Sequence, residues 1–204
     1  PDLVSPALAP RPWSSDGTDM NRALALLLGN AIGLLVAAPA AAEVVAQSSS
    51  GFLVRHQVVV DLPPSQAYRS LTDLHRWWNP AHTWSGDAAH LRLEARVGGC
   101  WCERWIENGQ TVDIEHMRIR AARPGALLRA TGGLGPLQQL GVSGTLSWTL
   151  EAGDAGQSIV TTEYAVSGWT PDGLDAWAEP VDFVLGEQSQ RYARLINTGH
   201  ADAP

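Results

Sequence analysis

The sequence predicts an α+β domain in which about six to seven antiparallel strands are covered by one long C-terminal helix. Three observations carry that expectation. Residues 98–120 read as a β-hairpin, because runs rich in aromatic and β-branched residues flank Asn108-Gly109. The strand-like runs on either side are joined by short turns, which makes an antiparallel meander. From Val181 onward the apolar spacing becomes helical, with Val181, Val184, Leu185, Gln188, Tyr192, Leu195 and Ile196 on one stripe. A sheet of this kind needs one face covered, and that helix is the only element long enough to cover it.

In chain order, Phe52 to Leu62 alternates as a strand and stops at Pro63-Pro64. Ser65 to Leu74 reads as a helix. Pro64 takes the tolerated early position, and Ala67, Leu71 and Leu74 sit at helical spacing. Residues 76–80 form a short helical turn or loop with Trp77 and Trp78 adjacent, more suited to core packing than to a ligand platform. Residues 82–87 form a loop. Leu91 to Ala95 is a short strand, and residues 96–99 turn into the hairpin. Its second strand runs to about Ala122, before a turn at Arg123-Pro124-Gly125. Ala126 to Thr131, Ser143 to Glu151 and Gln157 to Ser167 are three more strands. Between the first two lies a Gly/Pro loop, residues 132–137, with exposed-looking leucines. Pro180 interrupts or restarts the C-terminal helix near its beginning. Residues 199–204 are expected to fray.

The chain has 204 residues, 45 % of them hydrophobic, which suits one domain with a sizeable core. All fourteen basic residues are Arg, and the formal net charge is −7. A nucleic-acid binder would need a basic face, so the composition argues against that class, and no nucleic-acid partner is expected. Nine Trp residues suggest large apolar contacts and a ligand cavity.

Residues 20–42 have the layout of a secretory signal peptide: Met20-Asn21-Arg22, an apolar run Ala23 to Ala38, then an A-x-A site ending at Ala42. Export to the periplasm or outside the cell is expected, with no membrane span left after cleavage. The alternative is an uncleaved anchor, since the run nearly reaches spanning length. Residues 1–19 read as a disordered extension and 43–51 as a polar linker. The domain itself spans 52–198. Cys100 and Cys102 lie two apart on one strand, where bridging is strained. Two small buried thiols are the expected state, with a redox-active pair or an oxidised bridge as alternatives. The chain has no further Cys to complete a zinc site, and no metal or other cofactor is expected.

With Asn108 and Gly109 as turn residues, Trp105 faces Val112, Glu103 faces Ile114 and Trp101 faces His116. One face then carries Trp101, Glu103, Trp105, Val112, Ile114 and His116. The other carries Cys100, Cys102, Arg104, Thr111, Asp113, Glu115 and Met117. The first is apolar apart from one carboxylate and one imidazole, the composition of a small-molecule pocket.

The stretches LPPSQAYRSLTDLHRWW, WSGDAAHL, VGGCWCERW, ARPGALLRATGGLGPLQQLGVSGTL and PVDFVLGEQSQRYARLI, in this order, resemble the SRPBCC or START-like superfamily over about Phe52 to Ile196. Within that group the similarity is to bacterial polyketide-cyclase-like members and to homologues of the heat-shock-protein ATPase activator. The resemblance implies a helix-grip fold, a curved sheet around the last helix with a hydrophobic cavity between them. On that reading Trp84, Trp101, Trp105, Ile114, Leu134, Leu137, Val184 and Gln188 contact a lipid-like or aromatic ligand. The superfamily hosts carriers and enzymes alike. The export signal departs from the cytosolic co-chaperone members.

Glu103 and His116 are the candidate catalytic residues. A buried carboxylate tends to the neutral acid, and a neighbouring imidazole can take its proton. A satisfied structural pair is the alternative. His82, Asp87 and His90 flank Trp84 in a loop that is solvated or lines the cavity mouth. Arg104 opposite Asp113 reads as a surface pair. The preferred reading is a carrier of a hydrophobic small molecule. A cyclase, dehydratase or hydrolase working through Glu103 and His116 is the second. A protein-interaction module using the leucines of the Gly/Pro loop is held in reserve.

Overall fold

The computed structural model describes residues 43–202; the expected extension and signal peptide lie outside them. The elements are β1 (Glu43–Ser48), β2 (Gly51–Val60), α1 (Pro64–Leu71), β3 (Leu91–Leu93), β4 (Cys100–Glu107), β5 (Gln110–Arg123), β6 (Leu127–Thr131), β7 (Gly141–Ala152), β8 (Ser158–Trp169) and α2 (Asp175–Thr198). All eight strands form one antiparallel sheet in the order β1-β2-β8-β7-β6-β5-β4-β3. With α2 packed on its inner face, this is a helix-grip fold.

Alternation places the core. On β2, Phe52, Val54, His56, Val58 and Val60 are buried, and on β8 Ser158, Val160, Thr162, Tyr164 and Val166 face the same way. α2 covers this face through Leu185, Gln188, Ser189 and Tyr192. Gly186 lets the helix come close: a Cβ there would stand 2.9 Å from Cε1 of His56. At 1.5 Å per residue, the 24 residues of α2 reach about 36 Å. Pro180 lies inside the helix without ending it, and Gly199 closes it in the left-handed region at φ 86°.

Four expectations needed correction. Residues 43–48 are not linker but β1, paired to β2 from Glu43↔Arg55 to Ser48↔Gly51. Backbone pairing with a neighbour's free edge makes this strand, and its sequence shows little apolar alternation. The first helix stops at Leu71, and Leu74–Arg76 is a separate 3₁₀ turn. The end of the chain does not fray up to Asp202. Arg194 Nε donates to the Ala201 carbonyl at 2.9 Å, and Arg191 Nη1 pairs with Asp202 at 2.5 Å.

The fourth correction concerns the hairpin. Asn108 and Gly109 both have positive φ, 50° and 76°, as a type I′ turn requires. The expected register holds from Glu107↔Gln110 to Cys102↔Glu115. It then shifts: Trp101 pairs with Met117 rather than His116. His116 is thus the extra residue of a β-bulge, and bulges re-aim side chains. His116 and Met117 are both buried, so Met117 belongs to the inner face rather than the outer one.

Candidate functional site

A cavity of about 400 Å³ lies between the sheet, α2 and two loops. Trp78 and Ala81 to Trp84 line it from the loop before β3. Trp101 of β4 and His116 of β5 form its floor. Leu134 to Leu137 close one side, and Trp177, Pro180, Val181, Val184 and Leu185 come from α2. The aromatic floor continues inward: Trp101 packs edge-on against Trp78, with centroids 4.9 Å apart, and lies 5.7 Å from Trp148.

Both loops are tied by side chains from distant elements. The Asn79 amide donates to Gln188 Oε1 at 2.8 Å, and Asn79 Nδ2 donates to Glu187 Oε1 at 2.6 Å. His82 Nε2 meets Glu187 Oε2 at 3.0 Å, and Trp78 Nε1 donates to the His82 carbonyl at 3.1 Å. On the other side, the Tyr164 hydroxyl donates to the Gly132 carbonyl at 3.0 Å and accepts from the Leu134 amide at 3.1 Å. Gly144 leaves room for this contact, since a Cβ there would stand 2.3 Å from the hydroxyl. Burial pushes the Tyr164 hydroxyl up to about 12, so it stays protonated and keeps its donor.

Glu103 is completely buried and does not line the cavity. Oε2 accepts from the Trp84 amide at 3.0 Å and faces His116 Nε2 at 2.9 Å. Oε1 accepts from the Ser85 amide at 2.6 Å. Burial alone pushes this carboxyl up. The hydrogen bonds from Ser85, Trp84 and His116 together outweigh it and hold the group below its ordinary value. Burial pushes the His116 imidazole down, by more than the bond and charge of Glu103 raise it.

At neutral pH the pair is therefore a carboxylate and a neutral imidazole. The carboxylate can only accept, so Nε2 of His116 carries the hydrogen and Nδ1 offers a lone pair. Among the described residues Nδ1 has no hydrogen-bond partner. This reverses the expected proton assignment, in which Glu103 is the neutral acid. Three donors around one carboxylate defeat the desolvation that would have protonated it.

Of the expected ligand contacts, Trp84, Trp101, Leu134, Leu137 and Val184 line the cavity. Trp105 and Ile114 lie further along the hairpin, outside it. Gln188 points to the loop before β3, accepting from Asn79. His82 lines the cavity, whereas Asp87 caps a 3₁₀ turn through the Ala89 amide and His90 Nδ1 meets Ser85 Oγ at 3.0 Å. Arg104 and Asp113 pair on the surface at 2.5 Å. Leu137 is buried rather than exposed, which removes it from any free apolar docking patch. Sequence reading missed Glu187 and Tyr164 as loop anchors. Alternation along β8 was a usable signal that Tyr164 points inward; nothing local marks Glu187.

Cys100 and Cys102 are joined in a disulfide, with Cα atoms 5.4 Å apart. Both are half-buried, so the expected pair of buried thiols is not what the structure holds. The two sulfurs and the Glu115 carboxylate form a metal-sized cluster, but bridged sulfurs cannot serve as thiolate ligands. Among the described residues no helix is long and apolar enough to cross a membrane.

No family model matches the chain, and no curated protein matches it. Solved structures do. Protein CV1439 from Chromobacterium violaceum is 20 % identical, with 71 % of this chain and 96 % of that one covered and a TM-score of 0.50. The di-domain ARO/CYC StfQ from the steffimycin biosynthetic pathway is 15 % identical, with 74 % of this chain and 52 % of that one covered and a TM-score of 0.50. At such identities the likeness concerns the fold, and it agrees with the helix-grip architecture.

Proposed function

We propose that this protein binds a hydrophobic small molecule, lipid-like or aromatic, in the cavity between sheet and α2. The observation that carries this is a cavity of about 400 Å³ walled mainly by Trp, Leu, Val and Pro side chains, with the His116 ring as its buried polar group. Such a site removes apolar ligand surface from water at roughly 25 cal/mol per Å². The neutral Nδ1 of His116 then accepts one hydrogen bond from the ligand. Titration with the fluorescent probe 1-anilinonaphthalene-8-sulfonate tests the reading. The expected result is saturable binding that Val184→Trp, which fills the cavity from α2, reduces at least tenfold. Equal affinity in Val184→Trp would place the probe elsewhere and remove the support.

A second reading is favoured by the Glu103–His116 geometry. An imidazole oriented by a buried carboxylate is a general base, and the carboxylate stabilises the imidazolium that forms. A cyclase, dehydratase or hydrolase would use His116 to take a proton from a bound, acidified C–H or O–H. Glu103 would orient it without touching substrate. A His116→Ala variant that keeps probe affinity but loses turnover would select this reading over the carrier.

We also propose export, with cleavage after Ala42. The layout of residues 20–42 supports this, and so does a disulfide, a bond that persists in oxidising compartments. Intact-mass measurement on protein recovered from the envelope fraction tests it; a chain retaining residues 20–42 would refute it.

A further inference from the structure

We propose that the Cys100–Cys102 bridge is a redox-active site, opened by a dithiol, whose state sets the geometry of Trp101 and His116 in the cavity. For its affinity readout the proposal rests on the ligand-binding reading above; its spectroscopic readout does not.

The bridge spans a single residue, Trp101, within β4. Two residues of an extended strand normally advance about 6.6 Å, whereas these Cα atoms are 5.4 Å apart. β4 is thus shortened at the position that supplies the cavity floor. The partner strand answers at the same place. Trp101 pairs with Met117 and Cys102 with Glu115, so one residue of β4 faces two of β5 at His116. The extra residue of β5 thus sits beside the contracted segment of β4, and both strands depart from regular extended spacing at the same point. Because side chains alternate, the sulfurs lie on the outer face while Trp101 points inward. There it lines the cavity, with its ring 5.8 Å from that of His116. A chemical event on the outside is thereby coupled through one residue to the ligand wall inside.

The outer face is built so that a reductant can reach it. Both cysteines are half-buried, and the residues around them, Glu115 and Arg118, pair with each other at the surface. Arg118 Nη1 also donates to the Gly98 carbonyl at 3.0 Å. The Glu115 carboxylate stands 3.9 Å from the Cys100 sulfur, and its pair with Arg118 offsets that negative charge when a thiolate leaves the opened bridge. In the reaction, a thiolate of the external dithiol attacks one sulfur, the Cys100–Cys102 bond breaks and a mixed disulfide forms. The second thiol of the reagent then displaces the protein sulfur. The reagent ends as a disulfide and the protein as two thiols, with both electrons supplied by the dithiol. Freed of the bridge, β4 returns toward extended spacing and the Trp101–His116 floor loses its set geometry.

The test uses the purified chain with and without dithiothreitol. Mass spectrometry reads the 2 Da gain, and NMR reads the His116 imidazole, assigned by its loss in His116→Ala. Titration with 1-anilinonaphthalene-8-sulfonate reads the cavity. Reduction is expected to shift the His116 imidazole and weaken probe binding at least threefold, with both effects reversed by reoxidation. The Cys100→Ala/Cys102→Ala double variant should match the reduced state and ignore dithiothreitol. An imidazole that does not move on reduction overturns the proposal, whatever the probe does, and so does a bridge that resists dithiothreitol in the folded protein. A shifted imidazole in a protein that never binds probe supports the redox coupling and fails the cavity reading instead.

Discussion

Glu103→Gln separates an anchoring carboxylate from an ordinary buried side chain. The substitution keeps size and shape but replaces one acceptor oxygen with an NH₂ donor. Glu103 now satisfies the Trp84 amide, the Ser85 amide and His116 Nε2. With the amide oxygen at the Oε2 position, the NH₂ meets the Ser85 N–H, donor against donor. Turned over, it meets the Trp84 N–H instead. One buried backbone donor is stranded either way, at about 1–3 kcal/mol. For a domain of this size, 2 kcal/mol corresponds to a Tm drop of about 4–8 °C. The loss of charge also removes what raises the His116 imidazole, so its NMR midpoint should fall further. Urea unfolding and a histidine titration read both effects, and Glu103→Ala should destabilise more than Glu103→Gln. A Glu103→Gln protein with wild-type stability and an unmoved His116 midpoint would refute the carboxylate assignment and its role in holding residues 84–85.

Acid should destabilise the fold in two stages. The imidazole of His116 is lowered in the folded state, so the unfolded chain binds more protons once pH falls below about 6.5, and stability declines from there. Glu103 is also lowered; its stabilisation is full above the unfolded carboxylate value and is lost as pH falls through the folded one. Urea midpoints that stay flat from pH 7 to 3 would contradict both assignments. Tyr164→Phe removes the hydroxyl that joins Gly132 to Leu134, so it should cost about 1–2 kcal/mol and speed amide exchange across residues 133–138. Unchanged exchange there would show that the loop is held by Leu137 packing alone. Asp202→Ala should cost less than about 1 kcal/mol, because its pair with Arg191 is solvent-facing on the carboxylate side. A larger loss by thermal unfolding would mean the tail is integral to the core.

Much of the architecture was legible without coordinates. Asn108-Gly109 specifies a type I′ turn by the positive φ both residues tolerate, and from it the register runs correctly to Cys102↔Glu115. The helical stripe of α2 announces itself after Pro180, where apolar residues recur at spacings the helix dictates; that the helix runs unbroken through Pro180 was not legible. The cavity-lining places of Trp84, Trp101, Leu134, Leu137 and Val184 were named from the sequence, with family resemblance supplying the helix-grip frame. The turn and the stripe are short-range patterns, which are properties of the chain itself, whereas the loop residues Trp84, Leu134 and Leu137 came from the resemblance.

What lay beyond it required two distant segments to meet. β1 exists because β2 presents an edge to pair with, so its own composition says little. The bulge at His116 depends on how Gln110 to Arg118 of β5, nine residues, match the eight of β4, and that one extra residue turns Met117 inward. Glu103 is ionised because the amides of residues 84 and 85, nearly twenty positions earlier, converge on it, whereas a strand pattern reports only that it points inward. Glu187 and Gln188 hold Asn79 and His82 across more than a hundred residues, and no local pattern encodes that reach. The chain's own order determined which faces are apolar. Tertiary structure alone decided which polar groups meet, because hydrogen bonding and charge state depend on neighbours supplied from elsewhere in the fold.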